Sequence, residues 1–338
     1  MRILLWHVHG GWTDAFVRGP HEYLLPVLPE RGAWGLGRGG RDWPASVREI
    51  ALDALDPDSV DAVILQRVEE LAEVVRALGR IPGKDLPAVF LEHNTPKGDV
   101  PHSVHPFADQ QVIPLVHVTY FNQLIWDNGS APTIVIEHGI PDPGHLYSGE
   151  VPELGAVVNE PVRRGRVTGT DLLARFAAAA PLRVFGMGGA GLSEATGLPA
   201  MKLTVCGDLQ TARLHRELAR CRVYLHPVRW TSLGLALLEA MHLGMPVVVL
   251  GTTEAARTVP PEAGAISTNV DELVHVAAQL VRDPAEARQR GNIAREAVLE
   301  RYGLDAFLRA WNELLEDLTS PRFRTGRILI PTQEGKGQ

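Results

Sequence analysis

One carboxylate interrupts the almost wholly apolar run RWTSLGLALLEAMHLGMP at 229–246, namely Glu239. Ser232 can cap a helix there, Leu235, Leu238, Met241 and Leu243 populate it, Gly244 can close it in the left-handed region, and Pro246 prevents continuation. VVVL follows at once, so the helix is expected to lie against a sheet with Glu239 at least partly enclosed. An enclosed carboxylate needs donors, because unpaired desolvation costs several kcal/mol or shifts its pKa until it protonates. An arginine partner would satisfy it; so would the hydroxyls of a ribose.

Other residues along the chain could serve such a ligand. Arg163, Arg164 and Arg166 cluster after a strand-like stretch and before the helical segment DLLARFAAA. Guanidinium forks beside a helix N-terminus make a diphosphate site, whereas a solvated loop is the plain alternative. The stretch SLG at 232–234 repeats the arrangement, with backbone N–H groups at a helix start and a glycine permitting close approach, and Glu239 stands roughly two turns further in. GMGGAG at 186–191 has the form G-x-G-x-x-G after a strand, with Asp208 ending the next one, as a dinucleotide site would want. Gly197 and Pro199 leave little room for a crossover helix, which favours a tight turn instead. His7, His9 and His93 follow strands and can donate, accept or transfer protons, or simply be satisfied structural histidines. No metal-binding spacing is present in the sequence.

The elements that must position these groups alternate between strand and helix, which specifies an α/β fold with parallel sheets. Strands are expected at 2–8, 61–66, 88–93, 115–120 and 133–137, then at 156–159, 182–186, 203–207, 223–227 and 246–250, with a clear helix at 68–79. The Pro- and Gly-rich stretch 140–155 is the best linker candidate. A chain of 338 residues suits two domains: 1–147 and 148–318, each Rossmann-like and facing a cleft, with a tail at 319–338 that returns to the first domain. The loops at the carboxyl ends of the strands then carry the chemistry. A net charge of -7 argues against nucleic acid as a partner. Cys206 and Cys221 read as buried free thiols, and with no apolar run long enough to span a membrane a cytoplasmic location is expected.

Together these stations resemble the two-domain GT-B retaining glycosyltransferases of family four over most of the chain. HPVRWTSLGLALLEAMHLGMPVVV resembles the family's segment in which two glutamates stand eight positions apart before A-M-x-x-G-x-P-V-V. The resemblance implies that Glu239 holds the nucleotide ribose and that Ser232, Leu233, Gly234 and Leu235 lie at the diphosphate, while Thr231 replaces the first glutamate. NEPVRRGRVTGTDLL resembles G-R-x-x-x-x-K-G-x-D-L-L, putting Arg163 at the phosphate-binding arginine and Thr168 at the lysine, with Arg164 or Arg166 as substitute cations. VFLEHNTP resembles the strand ending in the active-site histidine, His93, and the HGG loop with Gly11 resembles the glycine-rich loop near the donor.

The resemblance implies transfer of a sugar from a nucleoside diphosphate sugar to an unidentified hydroxyl acceptor, with His93 and Arg163 as catalytic residues and neither cofactor nor metal. Thr231 and Thr168 motivate a second expectation, a GT-B protein that binds without transferring. GMGGAG and Asp208 motivate a third, an NAD-dependent oxidoreductase. The base, the sugar, the acceptor and the oligomeric state are not readable from the sequence.

Overall fold

The computed structural model describes residues 1–320. The chain divides into two compact units, Met1–Gly139 joined by the chain from Asp305 onward, and Ile140–Leu304. The division falls earlier than the expected 147/148, and the last helix, expected within the second domain, belongs with the first. The expected tail lies, from residue 321 on, outside the described residues.

The first unit holds a seven-stranded sheet built from β1 (Arg2–Leu5), β2 (Glu22–Pro26), β3 (Val47–Ile50), β4 (Ala62–Leu65), β5 (Ala88–Glu92), β6 (Leu115–His117) and β7 (Thr133–Val135). Every pair is parallel, in the order β3-β2-β1-β4-β5-β6-β7. AVIL in β4 and AVFLE in β5 are buried throughout, as central strands covered on both faces must be. β2 and β3 were not expected; β3, the edge strand, reads VREI and carries polar residues, and Arg48 there pairs with Glu22 of β2 at 2.6 Å. The helix Gly10–Phe16 buries Trp12 and Phe16, and Trp311 of the helix Leu304–Thr319 meets both, at ring-centre distances of 5.5 and 5.1 Å. Those aromatic contacts tie the final helix to this unit.

The second unit holds a six-stranded parallel sheet of β8 (Val151–Val157), β9 (Leu182–Phe185), β10 (Leu203–Gly207), β11 (Cys221–His226), β12 (Val247–Leu250) and β13 (Gly264–Ser267), in the order β10-β9-β8-β11-β12-β13. β8 begins inside the stretch expected to be linker, and the short β13 escaped the sequence reading. The helix Leu235–His242 buries Leu237, Leu238, Ala240 and Met241 in the core with Val247 and Val249 of β12. Gly244 closes its end at φ 87°. Cys221 is buried and Cys206 partly buried, both free. Counted within its own unit, each sheet reverses strand order beside its first strand, between β1 and β4 and between β8 and β11. Ligands of open α/β sheets sit at the carboxyl ends of the strands flanking such a reversal.

Candidate functional site

In the second unit the reversal point is lined by the loops after β8 and β11. After β8, the Asn159 side-chain oxygen accepts from Met187 N–H at 3.1 Å, and Glu160 N–H donates to Met187 O at 2.7 Å. GMGGAG is therefore stapled against the β8 loop, with Gly186, Gly188 and Gly191 all at positive φ. It follows β9, one strand away from the reversal, and the helix after it, Leu192–Thr196, has five residues. A dinucleotide site needs that turn at the first strand of the sheet and a long crossover helix behind it. Glu160 itself holds φ 52°, a conformation that costs a non-glycine residue on the order of 1–3 kcal/mol and persists where surrounding structure over-determines it.

The arginines stand differently from expectation. Arg163 and Arg164 end a four-residue helix, Pro161–Arg164, instead of preceding a long one, because Gly165 and Gly169 at positive φ break the chain there and DLLARF forms only short turns. Arg163 is largely exposed and ion-paired with Glu160. Arg164 is half-buried. Arg166 and Arg229 are both committed to Asp171, the latter bidentately. Thr168 is buried, its hydroxyl bonded to Gly165 O and beside the Thr170 hydroxyl, so it braces the turn.

After β11 come Thr231, Ser232, Leu233, Gly234 and Leu235, of which Ser232 and Leu233 are buried and the others partly exposed. Gly234, not Ser232, is the N-cap of the helix Leu235–His242, and no side chain caps it. Its glycine is required by the neighbour beneath: a Cβ at Gly234 would stand 2.6 Å from Cε1 of His226. His226 is enclosed, its pKa pushed down to about 4 by burial, and its Nδ1 meets no hydrogen-bond partner among the described residues. Glu239 sits just over one turn into the helix, its side chain 24% exposed, with His215 Nε2 at 3.5 Å from Oε2 and the enclosed Tyr224 phenol nearby. The expected enclosure of Glu239 is thus present, and the structure adds His215 and Tyr224 beside it, with His226 under Gly234 at the helix start. HPVRW had marked the loop without singling out His226; His215 lies on a separate helix, Thr211–Leu218, where nothing in the local sequence signals it.

The first unit gathers a second set at its own reversal point. His7 and His9 follow β1, Gln66 and Arg67 follow β4, and His93 follows β5. The His9 and His93 rings lie 3.9 Å apart between centres, with Trp12 edge-on to His93 at 5.5 Å. Burial lowers the pKa of His9 to about 4, opposed in part by Glu92, and of His138 to about 3, and lowers His93 well below 6.5, with neighbouring imidazoles adding repulsion at His93 and His138. All three are neutral at pH 7. Glu92 accepts from Asn94 N–H and from His105 Nε2, so it is occupied. Gly11 is exposed in the first turn of the helix Gly10–Phe16, where a loop had been expected. Sequence reasoning missed Gln66, whose side-chain partners Trp6 and His93 are brought together only by the sheet, and Glu70, which holds Gln66 and Arg67 locally.

Among the described residues no group of three or more His, Cys, Asp or Glu could hold a metal ion, and no helix is long and apolar enough to cross a membrane. Residues 170–283 match the family described as Glycosyl transferases group 1. No curated protein matches the chain. Among solved structures, sucrose-phosphate synthase from Thermosynechococcus elongatus is similar at TM-score 0.70 and 15% identity, over 94% of this chain and 99% of that one. HepE from Anabaena in complex with UDP-glucose is similar at TM-score 0.69 and 14% identity, over 94% and 99%. A glycosyltransferase from Rickettsia africae gives 0.67 and 13%, over 95% and 99%. Two parallel-sheet α/β units matching GT-B structures, with a group 1 glycosyl transferase domain in the second, define a glycosyltransferase of the GT-B class.

Proposed function

We propose that the chain is a retaining glycosyltransferase that moves a sugar from a nucleoside diphosphate sugar to an acceptor hydroxyl. The observation that carries this reading is Glu239: a partly enclosed carboxylate one turn behind a helix start that no side chain caps, beside the strand-order reversal. A carboxylate accepts both ribose hydroxyls, while backbone N–H groups at 233–235 meet the diphosphate. Arg163 reaches the leaving diphosphate by exchanging Glu160 for phosphate oxygens, stabilising charge that develops as the glycosidic bond breaks. No protein nucleophile is needed: the departing phosphate takes the acceptor proton, and His93 orients the sugar. Thr231 offers one hydroxyl where the resembled family has a carboxylate, so the donor sugar is held by a weaker, uncharged contact.

UDP is the first nucleotide to test, since HepE from Anabaena was crystallised with UDP-glucose. Thermal melts of the purified chain with UDP, GDP, ADP and dTDP, followed by incubation with the matching sugar nucleotide, give the answer. The reading expects one nucleotide to raise the melting temperature by mass action, and expects its sugar to be transferred or hydrolysed with the anomeric configuration kept. Stabilisation without sugar release would instead identify a binding protein, as Thr231 and Thr168 would allow. Stabilisation by none of the four would overturn the reading.

A further inference from the structure

Gln66 Nε2 donates to the backbone carbonyl of Trp6 at 2.8 Å. A carbonyl only accepts, so this contact decides which end of the Gln66 amide faces which way. Oε1 is then the atom 3.1 Å from His93 Nε2, and because an amide oxygen cannot donate, the hydrogen lies on His93 Nε2. Gln66 is itself held in place. Its own N–H donates to Glu70 Oε2 at 2.7 Å, Arg67 Nε donates to Glu70 Oε1 at 2.8 Å, and the Arg67 guanidinium lies 3.7 Å from the centre of the Trp34 ring. Gln66, Glu70 and His93 are all buried, so water does not compete for these bonds.

We infer that Gln66 is a positioning residue that fixes His93 as the Nε2–H tautomer, making Nδ1 the accepting nitrogen of the ring. An accepting imidazole matches a sugar hydroxyl, which can donate, and is mismatched to a phosphate oxygen, which cannot. The tautomer is read from the Gln66 contacts; its use in placing the sugar rests on the transfer reaction proposed above.

Nitrogen-15 histidine labelling of the full chain reads the tautomer directly, with the His93 signal identified by its loss in His93→Gln. At neutral pH the wild type is expected to show a protonated Nε2 and an unprotonated Nδ1 at His93. Gln66→Met removes the acceptor, and His93 loses its single tautomer. Gln66→Glu keeps an acceptor opposite Nε2, and Nε2 stays protonated. Should Gln66→Met fail to fold, the wild type and Gln66→Glu still decide the matter. A wild-type His93 protonated on Nδ1, or a Gln66→Met spectrum identical to wild type at His93, overturns the inference. Because the spectrum needs neither donor nor acceptor, this outcome is independent of whether the chain transfers sugar.

Discussion

Burial, as the largest cause, holds His9, His117 and His226 at about 4 and His138 at about 3, and pushes His93 well below 6.5; at His9 the Glu92 charge opposes it only in part. Each is neutral when folded and takes a proton when unfolded at any pH between its folded value and the ordinary one near 6.5. The unfolded chain therefore binds more protons in that window, and stability must fall as pH drops from about 6.5 toward about 4. The slope is up to ~1.4 kcal/mol per pH unit for each histidine, with no contribution from these groups above 6.5. Thermal melts across pH 4.5 to 8 test this, and His138→Asn should flatten the acid side; a level profile between pH 7 and 5 contradicts it. At this scale the sequence was unevenly legible. Glu239 stood out because every neighbour is apolar, and His93 because it ends a strand. His215 and Gln66 gave no signal, since each acquires its meaning from a partner on another element. Thr168 stands where the resembled family has a lysine and was expected at the donor, yet its hydroxyl turns inward to the chain's own carbonyl, in a turn set by Gly165 and Gly169 at positive φ.

At the scale of elements, close approach decides which residues are tolerated. Gly291 lies in the middle of the helix Pro284–Arg301, where a glycine costs helix stability, yet a Cβ there would overlap the carbonyl of Gly244 at the end of the helix bearing Glu239. Gly291→Ala gains propensity and loses the fit. Overpacking of this kind outweighs the gain and is expected to lower stability by about 1–3 kcal/mol, measured as a reduced urea midpoint with unchanged slope. An unchanged or raised midpoint would mean that the two helices can part without cost. Buried strands such as β4, β5 and β12 were legible as unbroken apolar runs. The edge strand β3 was not, because VREI keeps polar residues and loses the pattern, and neither was β13, whose four residues GAIS are too few and too small to stand out. The segment DLLARFAAA read as a helix on composition alone, yet after Gly169 at positive φ it forms only the short turns Thr170–Leu172 and Leu173–Phe176.

At the scale of the whole chain, two units with separate cores predict separable responses. Trp311 is 1% exposed and meets Trp12, Phe16 and Phe307, all within the first unit. Trp311→Ala is expected to cost about 3–5 kcal/mol in that unit, seen by calorimetry as a lowered first-unit transition. A bound nucleotide should instead raise the transition of Ile140–Leu304, by ~2.7 kcal/mol at a hundredfold excess over Kd. The two-domain plan was legible from strand and helix alternation, but the return of the last helix was not, because its aromatic partners lie at the far end of the sequence. The central claim is that Glu239 holds the nucleotide of a sugar donor, and titration calorimetry of UDP, GDP, ADP and dTDP into the wild type and Glu239→Ala tests it most directly. One nucleotide should bind the wild type and bind Glu239→Ala roughly 10- to 100-fold more weakly, as expected for losing hydrogen bonds to a charged group. Equal affinity in the two proteins for the nucleotide that binds best would contradict the account.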